Sequence, residues 1–291
     1  MARDVGDGAG LLTAEGGESE AKHERSRSPR SRPAVPQSVA QRPRRVCIMR
    51  HGLKEENVLG KDNFSLPLTV KGKQALAELA AFCDGLEVRF GRALCSPYLR
   101  CRETAEALVH LVSSGCIELE PGLCEVMSNR TGLRNARGLL GDEALARLRP
   151  RLEEVMRAEG GPQSAKPLFN CSELEHDSVE QGPEACRQVV ERGLALVHRF
   201  SDEHFAGGTL LLVTHGGPCK ALISGFLDGE VQPYNKYKLP EMGSMTFLEQ
   251  RGPGGPWRVV GNVTPGETPD GSWELRWHRG RASDSGDVAK L

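Results

Sequence analysis

Short apolar runs that stop abruptly at polar or glycine-bearing residues punctuate much of this chain. Val46-Cys47-Ile48-Met49 halts at Arg50-His51-Gly52, Arg92-Ala93-Leu94-Cys95 at Ser96-Pro97, Ile117-Glu118-Leu119 at Pro121-Gly122, and Thr209-Leu210-Leu211-Leu212-Val213 at Thr214-His215-Gly216-Gly217. Runs of this length between breakers read as strands. The last, apolar at almost every position, reads as a strand buried on both faces. Between them the period changes. Thr69 is a candidate N-cap for a helix reaching Cys83, with Leu76, Leu79 and Cys83 on one face and Asp84-Gly85 as its stop. Cys101, Ala105, Leu108 and Val112 form a stripe on a helix expected from Leu99 to Val112. Residues 142–159 and 183–204 carry further helical patterns. The first is kinked or split at Pro150; the second has Pro183 in its first turn and Val189, Leu196 and Val197 inward. Another helix is expected after Pro218, to about Phe226. Farther on, Ser244–Glu249 alternates as an edge or hairpin strand, with Trp257-Arg258-Val259-Val260 as its expected partner.

Strands alternating with helices over 46–226 predict an α/β fold, a three-layer sandwich with a mostly parallel central sheet. The domain is expected over 45–264. Residues 127–182, irregular apart from one helix, read as an insertion lying as a lid over one end of the sheet. Residues 1–44, rich in Gly, Ser, Pro, Arg and Glu without periodicity, read as a disordered tail. Residues 265–291 read as a partly disordered C-terminal extension with Trp273 and Trp277 as anchors.

Composition narrows the function classes. The 291 residues are 38% apolar and 26% charged, ordinary globular values, and the net charge of −1 argues against a broad nucleic-acid footprint. The exception is the block Arg25-Ser26-Arg27-Ser28-Pro29-Arg30-Ser31-Arg32-Pro33. It reads first as a solvated tail, but it could carry phosphates, bind RNA weakly or serve as a nuclear address. No apolar run approaches the ~20 residues that span a bilayer. Met1–Asp7 lacks the apolar core of a secretory signal, so neither export nor a membrane role is expected. Nine cysteines without a Cys-x-x-Cys pair point to reduced thiols and a cytoplasmic protein, with Cys47 and Cys95 as core filler.

In parallel α/β sheets, ligands bind beyond the carboxyl ends of the strands. Arg50-His51-Gly52 and His215-Gly216-Gly217 both follow such ends, and Ser96-Pro97-Tyr98-Leu99-Arg100 puts a second arginine at a third. Two arginines and two histidines converging on one point make a pocket for a dianion such as phosphate. Gly52 and Gly216 let the backbone come close to a ligand. The helix after His215 directs its N-terminus there, favouring an anion. No His, Cys and Asp cluster has metal-ligand spacing, and neither metal nor cofactor is expected.

These segments resemble, in order, the motifs of the histidine phosphatase superfamily, the group that includes cofactor-dependent phosphoglycerate mutase. Arg50-His51-Gly52 is similar to its first-histidine signature. Leu66-Pro67-Leu68-Thr69 with Gly72 and Gln74-Ala75 is similar to its helix start, Ser96–Ala105 to its "SPxxRxxxTA" segment, and Val213–Gly217 to its second-histidine motif. Glu120-Pro121-Gly122-Leu123-Cys124-Glu125 is similar to the "EPGLxE" stretch of the suppressor-of-T-cell-receptor-signalling type phosphatases. Those relatives carry ubiquitin-associated and SH3 modules upstream, and roles that depend on such modules are not implied here.

The resemblance implies a phosphoglycerate mutase-like fold and a metal-independent phosphomonoester hydrolase. His51 would be the phosphoryl acceptor, its tautomer set by a carbonyl near Gly52. Arg50, Arg100 and His215 would hold the phosphoryl oxygens, and Glu125 would act as general acid and then base. Glu173, Glu175 and Asp177 are alternative acids. Lys54 would touch phosphate or substrate. Glu184 and Arg192, spaced like a helix element of the family, read as structural.

The mutases continue Arg-His-Gly with a "xSxWN" run. Here Leu53-Lys54-Glu55-Glu56-Asn57 stands instead, which favours a phosphatase over mutase-type phosphoryl transfer. A low-activity phosphate-binding scaffold is the remaining alternative. The substrate would be a phosphorylated small molecule or a phosphoprotein. Arg130, Arg134 and Arg137 in the insertion would favour acidic or multiply phosphorylated ones if they face the site. A homodimer is a candidate assembly.

Overall fold

A computed structural model describes residues 43–56, 63–125, 150–158, 167–169, 171, 187–229, 239–252, 254–267 and 273–279. Its strands are β1 (Arg44–Arg50), β2 (Phe90–Cys95), β3 (Glu118–Leu119), β4 (Thr209–Thr214), β5 (Met245–Gln250), β6 (Trp257–Glu267) and β7 (Trp273–Arg279). Its helices are α1 (Val70–Gly85), α2 (Leu99–Glu106), α3 (150–158), α4 (Arg187–Arg199) and α5 (Gly216–Asp228).

The seven strands form one sheet in the order β3-β2-β4-β1-β5-β6-β7. The period-two alternation of strand side chains sorts the core into two layers. Cys47 and Met49 of β1 and Leu211 and Val213 of β4 pack with Leu76 and Leu79 of α1 and Cys101 and Ala105 of α2. Val46, Ile48, Leu210 and Leu212 point the other way, onto Leu196 of α4 and Leu222 and Phe226 of α5. The result is the expected three-layer sandwich. The sheet is only half parallel, however. β3, β2, β4 and β1 run parallel, while the β1–β5, β5–β6 and β6–β7 pairings are antiparallel.

The caps explain where the elements begin. The Thr69 hydroxyl accepts from Gly72 N at 2.8 Å, as expected of an N-cap. Gly72 is required for a steric reason: a Cβ there would meet Leu53 O at 2.3 Å, so only glycine lets α1 lie against the loop after β1. α2 is shorter than its apolar stripe suggests. Cys101, Ala105, Leu108 and Val112 are all buried, but Val112 bridges to Phe90 and draws the chain out of helix through the turn Val109–Leu111. Pro150 is the first described residue of α3, so the kink or split expected there falls outside the described residues. Residues 142–149, Pro183 and the side chain of Val189 lie outside the described residues.

β5 forms the hairpin expected with the strand that begins at Trp257, and it is not an edge strand. It lies between β1 and β6 with all six residues buried. Its alternation reflects polar residues satisfied internally: the Glu249 carboxylate meets Arg45, Arg251 and Arg258 at 2.9, 3.3 and 3.1 Å. β6 runs past Val260 to Glu267, and β7 follows within the stretch read as an extension. No described helix is long and apolar enough to cross a membrane.

Candidate active site

The four parallel strands end at a common level. Arg50 pairs with Thr214, Cys95 with Val213, and Leu119 with Cys95, so the residues after β1, β4, β2 and β3 emerge side by side. His51 N continues the ladder by donating to Thr214 O at 2.9 Å. His51 and His215 are buried at 1% and 0% exposure, their rings 5.3 Å apart.

Their hydrogen bonds settle the tautomers. His51 Nδ1 lies 2.8 Å from Gly52 O, which can only accept, so Nδ1 carries the proton and Nε2 keeps its lone pair. Arg100 Nη2 can only donate, and it lies 3.0 Å from His215 Nδ1. His215 therefore carries its proton on Nε2, 2.9 Å from Ser96 Oγ. Burial, then the charge of Arg100, holds the His51 imidazole well below its ordinary range, with smaller contributions from Arg50 and Lys54 and partial relief from the Gly52 carbonyl. His215 is held down by burial, then by Arg100, His51, Arg192 and Arg50. Both rings are neutral near pH 7.

Arg100, 1% exposed, is fixed from several sides. Its Nη1 donates to Asn63 O at 2.7 Å, and its guanidinium lies 4.6 Å from the centroid of the Tyr98 ring. Thr104 Oγ1 accepts from Gly52 N and donates to Arg100 O, which couples the first-histidine loop to the Arg100 helix. Arg50 Nη1 donates to Pro240 O at 2.7 Å. Gly216 leaves room for it, since a Cβ there would lie 3.4 Å from the Arg50 guanidinium carbon and 2.9 Å from Leu239. A Cβ on Gly52 would press on Leu76 at 3.0 Å. Thus both glycines also serve packing inside the protein. Arg50 Nε and Arg100 Nε are buried and have no hydrogen-bond partner among the described residues.

Glu125 Oε2 lies 3.7 Å from Arg100 Nη2 and 3.6 Å from His215 Nδ1. Half-buried Lys54 belongs to the same field. Its pKa is lowered by burial and then Arg100, while Glu125 acts in the opposite sense. The structure therefore brings together Arg50, His51, Gly52, Lys54, Arg100, Glu125, His215 and Gly216. Glu173, Glu175, Asp177, Glu184, Arg130, Arg134 and Arg137 lie outside the described residues.

His51, Glu125 and His215 each offer a ligand atom within 4.8 Å of the others, a metal-like spacing that the linear sequence concealed. The donor set fits a cation poorly. Arg100 Nη2 already occupies the His215 Nδ1 lone pair and stands beside the same Glu125 oxygen, so a metal would have to displace a guanidinium and face its charge. Three cations against one carboxylate favour an anion instead.

Sequence reasoning did not assign roles to Ser96, Tyr98 and Thr104, although all three lie in the segment around Arg100. The carbonyls of Asn63 and Pro240 left no signal, because any residue can present a carbonyl there. Glu120 is a further buried group, 1% exposed, whose carboxylate accepts from Gly122, Leu168 and Phe169 N–H groups at 2.8, 2.6 and 3.1 Å. Burial pushes its pKa up to about 7 against the pull of those donors.

Comparison with known proteins agrees with this geometry. A profile of the histidine phosphatase superfamily (branch 1) matches residues 46–263. The 6-phosphofructo-2-kinase/fructose-2,6-bisphosphatase of Caenorhabditis elegans is 34% identical over 87 residues, 28% of this chain and only 19% of that protein. Similar solved structures include the mycobacterial glucosyl-3-phosphoglycerate phosphatase, at 19% identity with 75% of this chain and 97% of that chain covered and a TM-score of 0.46. A phosphoserine phosphatase from Entamoeba histolytica is 19% identical, with 74% and 94% covered and a TM-score of 0.46. The protein histidine phosphatase SixA is 17% identical, with 81% and 96% covered and a TM-score of 0.38. With three strand ends delivering two histidines and two arginines to one buried point, and the profile spanning all of them, the chain belongs to the histidine phosphatase superfamily, a group of phosphatases and phosphoryl-transfer enzymes.

Proposed function

We propose that this protein hydrolyses phosphomonoesters through a phosphohistidine on His51. The observation that carries the reading is the His51 tautomer: Nδ1–H held on Gly52 O leaves a neutral, buried Nε2 lone pair beside Arg100. Nε2 attacks phosphorus and the ester oxygen leaves. Arg50, Arg100 and His215 hold the remaining phosphoryl oxygens, and the Nε groups of Arg50 and Arg100, without partners among the described residues, supply donors that an anion would satisfy. Glu125 gives its proton to the leaving oxygen, then takes one from the water that attacks the phosphohistidine. Gly52 and Gly216 admit the phosphate to the strand ends, and Lys54 contacts phosphate or substrate.

The likeness of 120–125 and 96–104 to the T-cell-signalling type phosphatases supports phosphotyrosine or small phosphomonoesters as substrates. Eight described cysteines without disulfides accord with a cytoplasmic site of action, and the Arg-Ser block with access to the nucleus. The test is hydrolysis of p-nitrophenyl phosphate between pH 4 and 8 by wild type and His51→Ala. The variant is expected to lose at least roughly 10³-fold. Equal rates would refute the enzyme reading, and isomer conversion of a sugar phosphate without phosphate release would assign mutase chemistry instead.

A further inference from the structure

We infer that Arg192, on α4, is a positioning residue for the Glu125 carboxyl. The inference rests on the acid–base reading of Glu125 given above. Glu125 follows a single 3-10 turn, Pro121–Leu123, and no ladder continues past it among the described residues, so the carbonyls from Leu123 onward need other donors. The Thr214 hydroxyl on β4 donates to Leu123 O at 2.5 Å. The next two carbonyls are taken by one group 68 and 67 residues away: Arg192 Nη2 donates to Cys124 O at 2.8 Å and to Glu125 O at 3.3 Å. At the other end of the stretch, the Glu120 carboxylate holds Gly122 N.

α4, which carries Arg192, packs closely against α5. At the neighbouring Gly193, a Cβ would stand 2.7 Å from Ala221 Cβ. α5 begins directly after His215. The helix pair therefore fixes His215 and, through Arg192, the backbone that aims Glu125 to within 3.6 Å of His215 Nδ1. A lysine offers one point charge on a flexible stem and cannot reproduce a planar guanidinium lodged under two consecutive carbonyls.

A role through Glu125 predicts a signature that lost packing does not. General-acid assistance matters most when the leaving oxygen is basic, so its loss falls on phenyl phosphate and spares p-nitrophenyl phosphate. The experiment compares kcat/KM for these two esters in wild type, Glu125→Gln, Arg192→Ala, Arg192→Lys and the Glu125→Gln/Arg192→Ala double variant, each checked for folding by circular dichroism. Glu125→Gln and Arg192→Ala should each lower phenyl phosphate turnover at least ~10-fold more than p-nitrophenyl phosphate turnover. Arg192→Lys should fall between wild type and Arg192→Ala, and the double variant should show no added selectivity. If Glu125→Gln is selective while Arg192→Ala or Arg192→Lys lowers both esters equally, Arg192 is only structural and the inference fails while the acid reading stands. If Glu125→Gln is itself unselective, the acid reading fails and takes the inference with it. Should Arg192→Ala not fold, the lysine variant alone decides by the same ratio.

Discussion

The two halves of the sheet divide the labour. In the parallel half, β3, β2, β4 and β1 all point their carboxyl ends one way, and each end releases a side chain into the site: Glu125, Arg100, His215 and the Arg50-His51 pair. The antiparallel half contributes no such side chain among the described residues. It supplies backbone: Ser244 O accepts from Arg50 N, Gly243 N donates to Arg50 O and His51 O, and Pro240 O accepts from the Arg50 guanidinium. Its charged cluster, Glu249 with Arg45, Arg251 and Arg258, lies at the opposite end of β5 from Met245, which pairs with Met49 next to the site. Parallel strands concentrate their ends on one edge, whereas antiparallel neighbours put alternate ends on opposite edges. Chemistry therefore gathers where the strands agree in direction.

This contrast can be broken from either side. The largest effect is expected at Arg100. Arg100→Ala removes the donor to His215 Nδ1 and the proposed buried phosphate ligand, and kcat/KM for p-nitrophenyl phosphate should fall roughly 10²- to 10³-fold. Steady-state kinetics on the folded variant would show it, and a change below ~5-fold would remove Arg100 from the site.

The counterpart in the antiparallel half is Leu248→Ala. Leu248 is fully buried on β5, so denaturant unfolding should register a loss of ~2–5 kcal/mol. The turnover per folded molecule should stay close to wild type. A comparable fall in turnover would mean that the supporting half does more than hold the frame.

A smaller effect concerns pH. His51 and His215 both have folded-state pKa values below the imidazole's ordinary value. The unfolded chain therefore takes up protons near pH 6.5 that the fold refuses. Their contribution to stability is complete above about pH 6.5 and is lost as pH falls towards the depressed values, with a slope of up to ~1.4 kcal/mol per pH unit for each ring. A His215→Asn variant should flatten that slope. Nitrogen-detected NMR at pH 6 should still find the Nδ1–H tautomer on His51, and an imidazolium there would contradict the assignment.

The smallest effect belongs to Arg251→Ala. This side chain is 57% exposed, and Glu249 keeps Arg45 and Arg258 without it. The expected change in stability is below ~1 kcal/mol, with no change in turnover.

Much of the parallel half was legible in the chain because its signals are local. An apolar run ended by a polar triplet marks a strand and the candidate site residues at its end together. A threonine before an apolar-periodic stretch marks the start of α1, and the Thr69–Gly72 cap is where the pattern places it. The antiparallel half was read less well. β5 read as an edge or hairpin strand; the hairpin with β6 holds, but only folding brings the arginines of β1, β6 and the following turn onto Glu249 and lets it be buried. β7 was missed although Trp273, Leu275 and Trp277 alternate with Glu274, Arg276 and His278 just after Pro269-Asp270-Gly271, because the Gly/Pro-rich residues around it made the whole stretch read as an extension.

The sequence by itself determined which residues could hold a phosphate, since arginine and histidine at strand ends have few other reasons to recur in that order. It also determined the helical starts and the alternating faces of β1 and β4, because capping and side-chain period depend only on neighbours along the chain. Tertiary structure decided the rest. The tautomers of His51 and His215 follow from a carbonyl and a guanidinium that only folding brings within 3.0 Å. The hold on Glu125 comes from an arginine 67 residues away. Both depend on hydrogen-bond partners distant in sequence, and no local pattern encodes the direction in which a donor will point.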